Sequence, residues 1–365
     1  FAQRERIDLT VIGPEAPLAA GIVDEFQEAG LAVFGPRKAA ALVEASKAFS
    51  KDLMTEQGIP TAEYFVTSDL MEARRFLQEY RKPLVVKADG LAAGKGVIVC
   101  DTREEAGEAI HAMLQDQIFG EASRTIILEE RLTGREFSVL AFCDGQRARV
   151  MPVARDHKRI FEGDRGLNTG GMGAFAPAQD IDPQIIAEVE ARVLQPALDG
   201  FNALGTPYVG VLFAGLMLTA DGIRTLEFNC RFGDPETEVI LPLLRSDLYA
   251  VMQACIQGKL DQFTLEWSDD FCATVIAAAP GYPEAYPKGL PINGLEQVSS
   301  DEAIIFHAGT QHREDQIVTS GGRVLAATAR GTAKEEALQL AYAALEKVHP
   351  RQLVGRVEHA GLPSG

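Results

Sequence analysis

Apolar and polar residues in this chain switch repeatedly between a period of two and a period near 3.6. AEYFVT (62–67), PLVVKA (83–88), VIVC (97–100) and TIILEE (125–130) are short runs bounded by turn residues, and they predict strands. MEARRFLQEY (71–80) and EEAGEAIHAMLQ (104–115) place apolar residues at helical spacing between them. Residues 61–131 therefore form a small α+β unit, lid-sized, with a glycine-rich turn at its tip. Upstream, RIDLTVIGPEAPLAAGIVDEF and LAVFG (31–35) spell strand, loop, helix and strand, a piece of βαβ structure that needs neighbouring parallel strands. Phe1 is not an initiator, so a first strand and its glycine-rich turn are expected to be missing, leaving 1–45 as a partial N-terminal α/β domain. Ser46 is placed to cap a helix KAFSKDLMTEQ, which Gly58 and Pro60 stop.

From Arg135 the pattern becomes a larger antiparallel layout. Strands are predicted at EFSVLAFC, ARVMPVA, GVLFAGLML and GIRTLEFN, with helices at about Pro183–Leu204 and Asp247–Gly258. The stretch from Asp156 to Pro177 has no period and is expected to be a long loop. After Trp267, CATVIAAA, IIFHAGT and GGRVLAATAR are short strands with glycine turns. A helix TAKEEALQLAYAALEKV follows them, with Thr332 and Glu335 in capping-box register. The division is 1–45, then 46–260 with its lid at 61–131, then a small α+β domain at 268–365.

Composition narrows the function. A chain of 365 residues at 46% hydrophobic can hold two or three cores. A net charge of −17 with no basic stripe argues against nucleic acid, so an anionic ligand must meet a local cationic cluster. Five scattered cysteines without CxxC spacing fit reduced, packed thiols. The longest apolar run, Tyr208 to Leu218, is short of the about 20 residues that cross a bilayer. The expectation is a cytoplasmic protein with no membrane partner.

Two distant segments carry the chemistry. In PLVVKADGLAAGKGVIV (83–99), the small residues Gly90, Gly94 and Gly96 let backbone N–H groups approach phosphate, and Lys87 and Lys95 supply charge. The spacing is not a Walker A loop: Gly90 to Gly94 is one residue short, and Lys95 precedes Gly96 instead of Ser or Thr. An ordinary glycine hairpin with surface lysines is the plainer alternative. In TLEFNCRFGDPETE (225–238), alternation puts Glu227, Asn229 and Arg231 on one face and Phe228 and Cys230 in the core. A carboxylate beside a carboxamide oxygen suits magnesium. Arg231 with Asp234 and Glu236 suits a substrate carboxylate or a phosphoryl group. Together the two segments read as an ATP site that performs chemistry. Glu129 and Glu130 at a strand end are commonly solvated, yet as a hinge they could bound an adenine slot. RDHKRIFEGDRGLNTGGMGAFAP (155–177) is the local cationic cluster, although His157 alone is more often structural than a general base.

The combination GPEAPL (13–18), KADGLAAGKGV (87–97), DHKR (156–159), NTGGMGAF (168–175) and EFNCRFGDPE (227–236) resembles the phosphoribosylamine–glycine ligase family (glycinamide ribonucleotide synthetases) of the ATP-grasp superfamily. The likeness spans nearly the whole chain. It implies an ATP-grasp fold with a partial pre-ATP-grasp domain and a small C-terminal α+β domain. The implied activity is ligation of glycine to 5-phospho-β-D-ribosylamine through an acyl phosphate, with ADP and phosphate released. By this resemblance Lys47 and Lys87 contact the phosphates with the glycine-rich turn, Glu129, Glu130 and Leu132 the adenine edge, and Glu136 the ribose. Glu227 and Asn229 match ligands of Mg2+ or Mn2+. Asp156, His157, Lys158 and Arg231 would serve catalysis, while Glu15, Arg159, Asn168, Thr169, Gly170, Gly171, Met172 and Asp234 would hold glycine and the sugar phosphate. The partners implied are these small molecules, with the chain a monomer or weak homodimer. Two departures stand out: the family's first βαβ unit is absent, and LFAGLML lacks the carboxylate that ATP-grasp carboxylases carry. Another ATP-grasp carboxylate–amine ligase, or a truncated ATP-binding module without turnover, are the alternatives.

Overall fold

The computed structural model describes residues 1–92, 95–161, 163 and 165–348; Gly94, one of the expected phosphate-binding glycines, lies outside them. The chain forms two compact units, each gathered from separated stretches: 1–151 with 181–232 and 248–264, and 152–180 with 233–247 and 265–365. These units cut across the chain-order ranges, because antiparallel pairing joins strands far apart in sequence.

The first unit is built on a four-stranded antiparallel sheet, in the order Gly222–Asn229, Val209–Thr219, Arg135–Asp144, Ala148–Val150. The Arg135–Asp144 strand is buried from Phe137 onward, as expected for a run apolar on both faces. A bulge interrupts the Gly222–Asn229 strand: Gly215 pairs with Glu227 and the adjacent Leu216 with Thr225, leaving Leu226 as the extra residue. The bulge inverts the alternation. Ile223 and Thr225 point inward before it, Phe228 and Cys230 after it, and Glu227, Asn229 and Arg231 are thereby only partly covered. The predicted helix at 183–204 spans Pro183–Ala203 and carries a π turn at Glu190–Leu194. That wider turn directly precedes Pro196, which cannot donate to the carbonyl four residues back.

The lid is a second four-stranded sheet, ordered Tyr64–Thr67, Ile126–Glu130, Leu84–Ala88, Val97–Val99. Helices Leu70–Glu79 and Arg103–Leu114 cover one face, with Ala73, Ala106, Ile110 and Met113 packing on Leu84, Val86 and Leu128. The four strands and two helices of the lid are legible in the sequence; the short 3-10 turn Gly120–Ser123 is not. At the N-terminal end, Thr10–Val11 pairs in parallel with Val33–Phe34.

The second unit centres on a five-stranded antiparallel sheet, ordered Ile304–His307, Arg323–Gly331, Phe271–Ala278, Gly173–Ala176, Arg155–Asp156. Helix Lys334–Lys347 supplies Ala341, Ala344 and Leu345 to a core with Val275, Ala277, Val324 and Ala327. Two expectations are corrected here. The 156–177 stretch is no structureless loop: Arg155–Asp156 and Gly173–Ala176 enter the sheet, and Arg159–Phe161 pairs with Arg165–Asn168 as a hairpin. Its polar residues and short runs hide the strands, of which only Gly173–Ala176 pairs outside the stretch. The start of the last helix is held by Glu336, whose carboxylate accepts from the Thr332 backbone N–H and hydroxyl (2.7 Å each), not by Glu335.

Candidate active site

In the first unit, the helix Lys47–Glu56 is capped as expected: the Ser46 hydroxyl accepts from the Phe49 N–H at 3.1 Å. The same end is tied to the glycine-rich turn. Asp89 accepts from the Ser46 hydroxyl (3.0 Å) and the Ala48 N–H (2.7 Å), and its carbonyl accepts from the Lys47 N–H (3.1 Å). The turn packs closely, since a Cβ on Gly90 would stand 2.9 Å from Ala122 Cα and one on Gly96 2.8 Å from Ala92 Cβ. Lys47 is partly exposed and Lys95 exposed.

Beneath the turn lies a charge cluster that sequence reasoning missed in part. Lys87 at the end of its strand pairs with Glu129 Oε2 at 2.6 Å, and Lys51 pairs with Glu129 Oε1 at 2.8 Å. The Lys51 ammonium also donates to Thr61 Oγ1 (2.7 Å), and that hydroxyl donates to the Thr225 carbonyl (2.7 Å). Lys51 and Glu129 side chains are 3% and 2% exposed, so water screens them little. Burial pulls the Lys51 pKa down to about 8, against the attraction of Glu129 and with the repulsion of Lys87. Burial pushes Glu129 upward, but Lys87 and Lys51 together hold it below the ordinary carboxylate range. The cluster thus sets two lysines against one carboxylate. Lys51 sits four residues after Lys47, on the same helix face, and that spacing was the available signal.

Glu129 is therefore no open wall of a slot; its side chain is committed to the lysines. Glu130, pointing the other way, pairs with Lys82 at 2.8 Å. The backbone from Glu130 through Leu132 is partly covered, and Glu136 is exposed on the strand that follows. Gly134 permits this crossing, since a Cβ there would stand 2.3 Å from the Leu218 carbonyl oxygen.

Glu227 and Asn229 stand on the partly covered face after the bulge, and Gly215 opposite leaves room for Glu227, whose Cγ would be 3.4 Å from an added Cβ. Among the described residues, no group of three or more His, Cys, Asp or Glu side chains is placed to hold a metal. One carboxylate and one carboxamide fit a magnesium-like ion that takes its remaining oxygens from phosphate and water.

Arg231 is not an open guanidinium. Its Nε meets Glu15 at 3.1 Å, one terminal nitrogen meets Glu44 at 3.0 Å, and the other donates to the Phe232 carbonyl at 3.0 Å. Glu44, absent from the sequence expectations, also accepts from the Cys230 N–H at 2.7 Å. Burial raises the Glu44 pKa despite Arg231, whereas for Arg231 the two glutamates outweigh burial and raise it. The motif GPEAPL and the segment after the metal-strand candidate Gly222–Asn229 are thus brought together by the Glu15–Arg231 pair.

The second unit brings Gly170, Gly171 and Asp234 together around Arg323, which no motif flagged. Its guanidinium grips Asp234 with two nitrogens, each at 2.8 Å from a carboxylate oxygen, and donates to the Gly170 carbonyl at 2.8 Å. The Gly170 N–H donates to the Tyr282 hydroxyl (3.1 Å). A Cβ on Gly170 would stand 2.9 Å from Arg323 Cζ, and one on Gly171 2.5 Å from Pro235 Cδ. The Thr169 N–H and hydroxyl both donate to the Lys158 carbonyl (2.7 and 2.8 Å), and Arg159 donates to the Gly166 carbonyl at 2.7 Å. Asn168 ends the exposed hairpin strand.

Met172 is buried against Ala278, Ile160 and Tyr282, so its side chain packs beneath the glycine run. His157 lines a small cavity with Phe175, Thr274, Leu338 and Tyr342, its ring 6.0 Å from that of Phe175. Asp156 is mostly buried and lies 3.9 Å from Lys158.

A lid sheet bearing a glycine-rich turn and a strand ending in Glu-x-Asn define an ATP-grasp enzyme. Family models for phosphoribosylglycinamide synthetase match the whole layout: its N domain over 1–44, its ATP-grasp (A) domain over 45–237 and its C domain over 272–357. The chain belongs to the phosphoribosylglycinamide synthetase family. It is similar to the phosphoribosylamine–glycine ligase of Caldanaerobacter subterraneus subsp. tengcongensis, 47% identical over 95% of this chain and 83% of that protein. The ligase of the same name from Allochromatium vinosum is 49% identical over 95% of this chain and 82% of its own length. The crystal structure of the Thermotoga maritima phosphoribosylamine–glycine ligase superposes with a TM-score of 0.80 at 37% identity, covering 86% of this chain and 78% of that one. The chain is thus an ATP-grasp ligase of the purine-biosynthetic type. No helix among the described residues is long and apolar enough to cross a membrane.

Proposed function

We propose that this chain joins glycine to 5-phospho-β-D-ribosylamine at the expense of ATP, and that the residues above divide the work as follows. The single observation that carries the nucleotide half is the buried Lys87–Glu129–Lys51 cluster under the glycine-rich turn. Lys87, Lys47 and the turn's N–H groups neutralise the phosphates, and backbone groups of Glu130 to Leu132 read the adenine edge. Glu227 and Asn229 hold a divalent cation, magnesium or manganese, which when bound draws charge from the γ-phosphoryl group.

A glycine carboxylate oxygen attacks the γ-phosphorus, the bond to the ADP oxygen breaks, and glycyl phosphate forms. The ribosylamine nitrogen then attacks the glycyl carbonyl; phosphate leaves and the nitrogen loses a proton. Both steps depend on positioning more than on acid–base strength. Among the second unit's residues, Arg159 suits the anionic ends of these substrates and Asp234, beside Gly170 and Gly171, the glycine ammonium; closure of the lid would exclude water from the acyl phosphate. Arg231, held between Glu15 and Glu44, serves by fixing the chain after the metal strand.

The test is ADP release with MgATP and glycine, with and without ribosylamine generated in situ, using other amino acids as controls. Turnover requiring both substrates is expected. Release that a different carboxylate supports equally well would overturn the substrate assignment.

A further inference from the structure

Glu129 divides its two oxygens between Lys51 and Lys87, and all three groups are buried. The arithmetic of this cluster is its function. Two ammonium groups and one carboxylate leave a net charge of one positive unit beneath the phosphate-binding turn. Without Lys51, Glu129 would neutralise Lys87 outright, and the pair would present no net charge to an anion. We infer that Lys51 is a positioning residue that offsets the Glu129 charge, so that Lys87 keeps an unspent positive charge for the nucleotide. This rests on the nucleotide reading of Lys87.

The surrounding contacts support the role. Lys51 is fixed by Thr61, whose hydroxyl donates to the Thr225 carbonyl two residues before Glu227. Thr61 and Thr225 also form an isolated parallel bridge, with the Thr225 N–H donating to the Pro60 carbonyl at 2.7 Å. The cluster therefore ties three parts of the first unit together: the lid strands of Lys87 and Glu129, the capped helix, and the strand that carries the metal ligands. The facing charged groups are those named, with Glu227 acting on Lys51 at longer range.

The experiment is calorimetric titration of MgADP into the wild type, Lys51→Gln, Glu129→Gln and the double variant Lys51→Gln/Glu129→Gln, with a thermal melt of each. Glutamine removes the charge and keeps a hydrogen-bonding head, on a side chain one atom shorter. Lys51→Gln is expected to weaken MgADP by on the order of tenfold or more, about 1.4 kcal/mol per decade, while the KM for glycine stays within about twofold. The double variant restores a cluster with one uncompensated ammonium and should recover most of the lost affinity. A purely structural lysine predicts the opposite, since two buried substitutions would then compound. A folded double variant that binds as weakly as Lys51→Gln, or an unchanged single variant, would overturn the inference. Should Lys51→Gln fail to melt cooperatively, Lys51→Met at the same position replaces it in both arms. A wild type that does not bind MgADP would instead bring down the nucleotide reading itself.

Discussion

Replacing Arg323 by methionine keeps most of the stem and removes the guanidinium. The loss is two charge-assisted bonds to Asp234 and one bond to the Gly170 carbonyl, all at 2.8 Å. The Asp234 side chain is 55% exposed, so the ion pair is discounted toward surface values, about 0.5–1 kcal/mol. The neutral acceptor at Gly170 adds about 1 kcal/mol. The total, roughly 2 kcal/mol, falls on one local structure, the join between the glycine run and the FGDP turn. If that join positions substrate, KM for glycine or ribosylamine rises roughly thirtyfold. MgADP affinity should stay within about twofold, because no residue of the Lys87 cluster is touched. Lysine at 323 should rescue poorly, since it cannot reproduce the fork. The assay is steady-state ADP release with each substrate varied in turn, alongside MgADP titration. Unchanged KM values for both substrates, or an equal fall in ADP affinity, would refute this account of the glycine run.

Glu227→Ala should abolish metal-dependent turnover with little change in melting temperature, and near-normal turnover across a Mg2+ titration would remove it from the metal site. Ser46→Ala, which deletes a helix cap and a bond to Asp89, should cost about 1–2 kcal/mol in urea unfolding. Gly134→Ala forces a Cβ against the Leu218 carbonyl, and about 1–3 kcal/mol of destabilisation is expected from the same measurement. The Lys51 pKa is lowered from 10.5 to about 8, so between those values the unfolded chain binds more protons than the folded one. Stability from this group therefore rises with pH across that window, and melts of wild type against Lys51→Gln should show the slope only in the former. Glu129 acts in the opposite range: with its pKa lowered below 4.5, the stability it contributes is present above that value and is lost as the pH falls further.

The lid's strands and two long helices were legible because each pairs or packs within about 70 residues of sequence and keeps a clean period. Ser46 announced its helix by type and position alone. What the sequence concealed was non-local. Lys51 looks like a surface lysine in FSKDL until a glutamate 78 positions away is folded onto it. Arg323 sits in a bland GGR turn, 89 positions from Asp234. The strands within 155–176 are short and mostly polar, and of them only Gly173–Ala176 finds a distant partner, at 271–278. The outward placement of Glu227 and Asn229 was read correctly from alternation, yet it holds only because the Leu226 bulge resets the phase just before them.

The interleaving of the second unit has a consequence for biosynthesis. Gly173 pairs with Val275 and Ala176 with Cys272, so roughly 100 residues must be translated after the first of these strands before its partner exists. At about 5–20 residues per second, the nascent glycine run waits roughly 5–20 s with an unpaired sheet edge. During that interval the first unit gains its 181–232 and 248–264 stretches and can complete its sheet, while the second has only the pairings within 155–176. A ribosome that stalls just short of residue 265 would thus hold a chain whose first unit is complete while the second has only 152–180 and 233–247, a form exposed to proteases and in need of a chaperone.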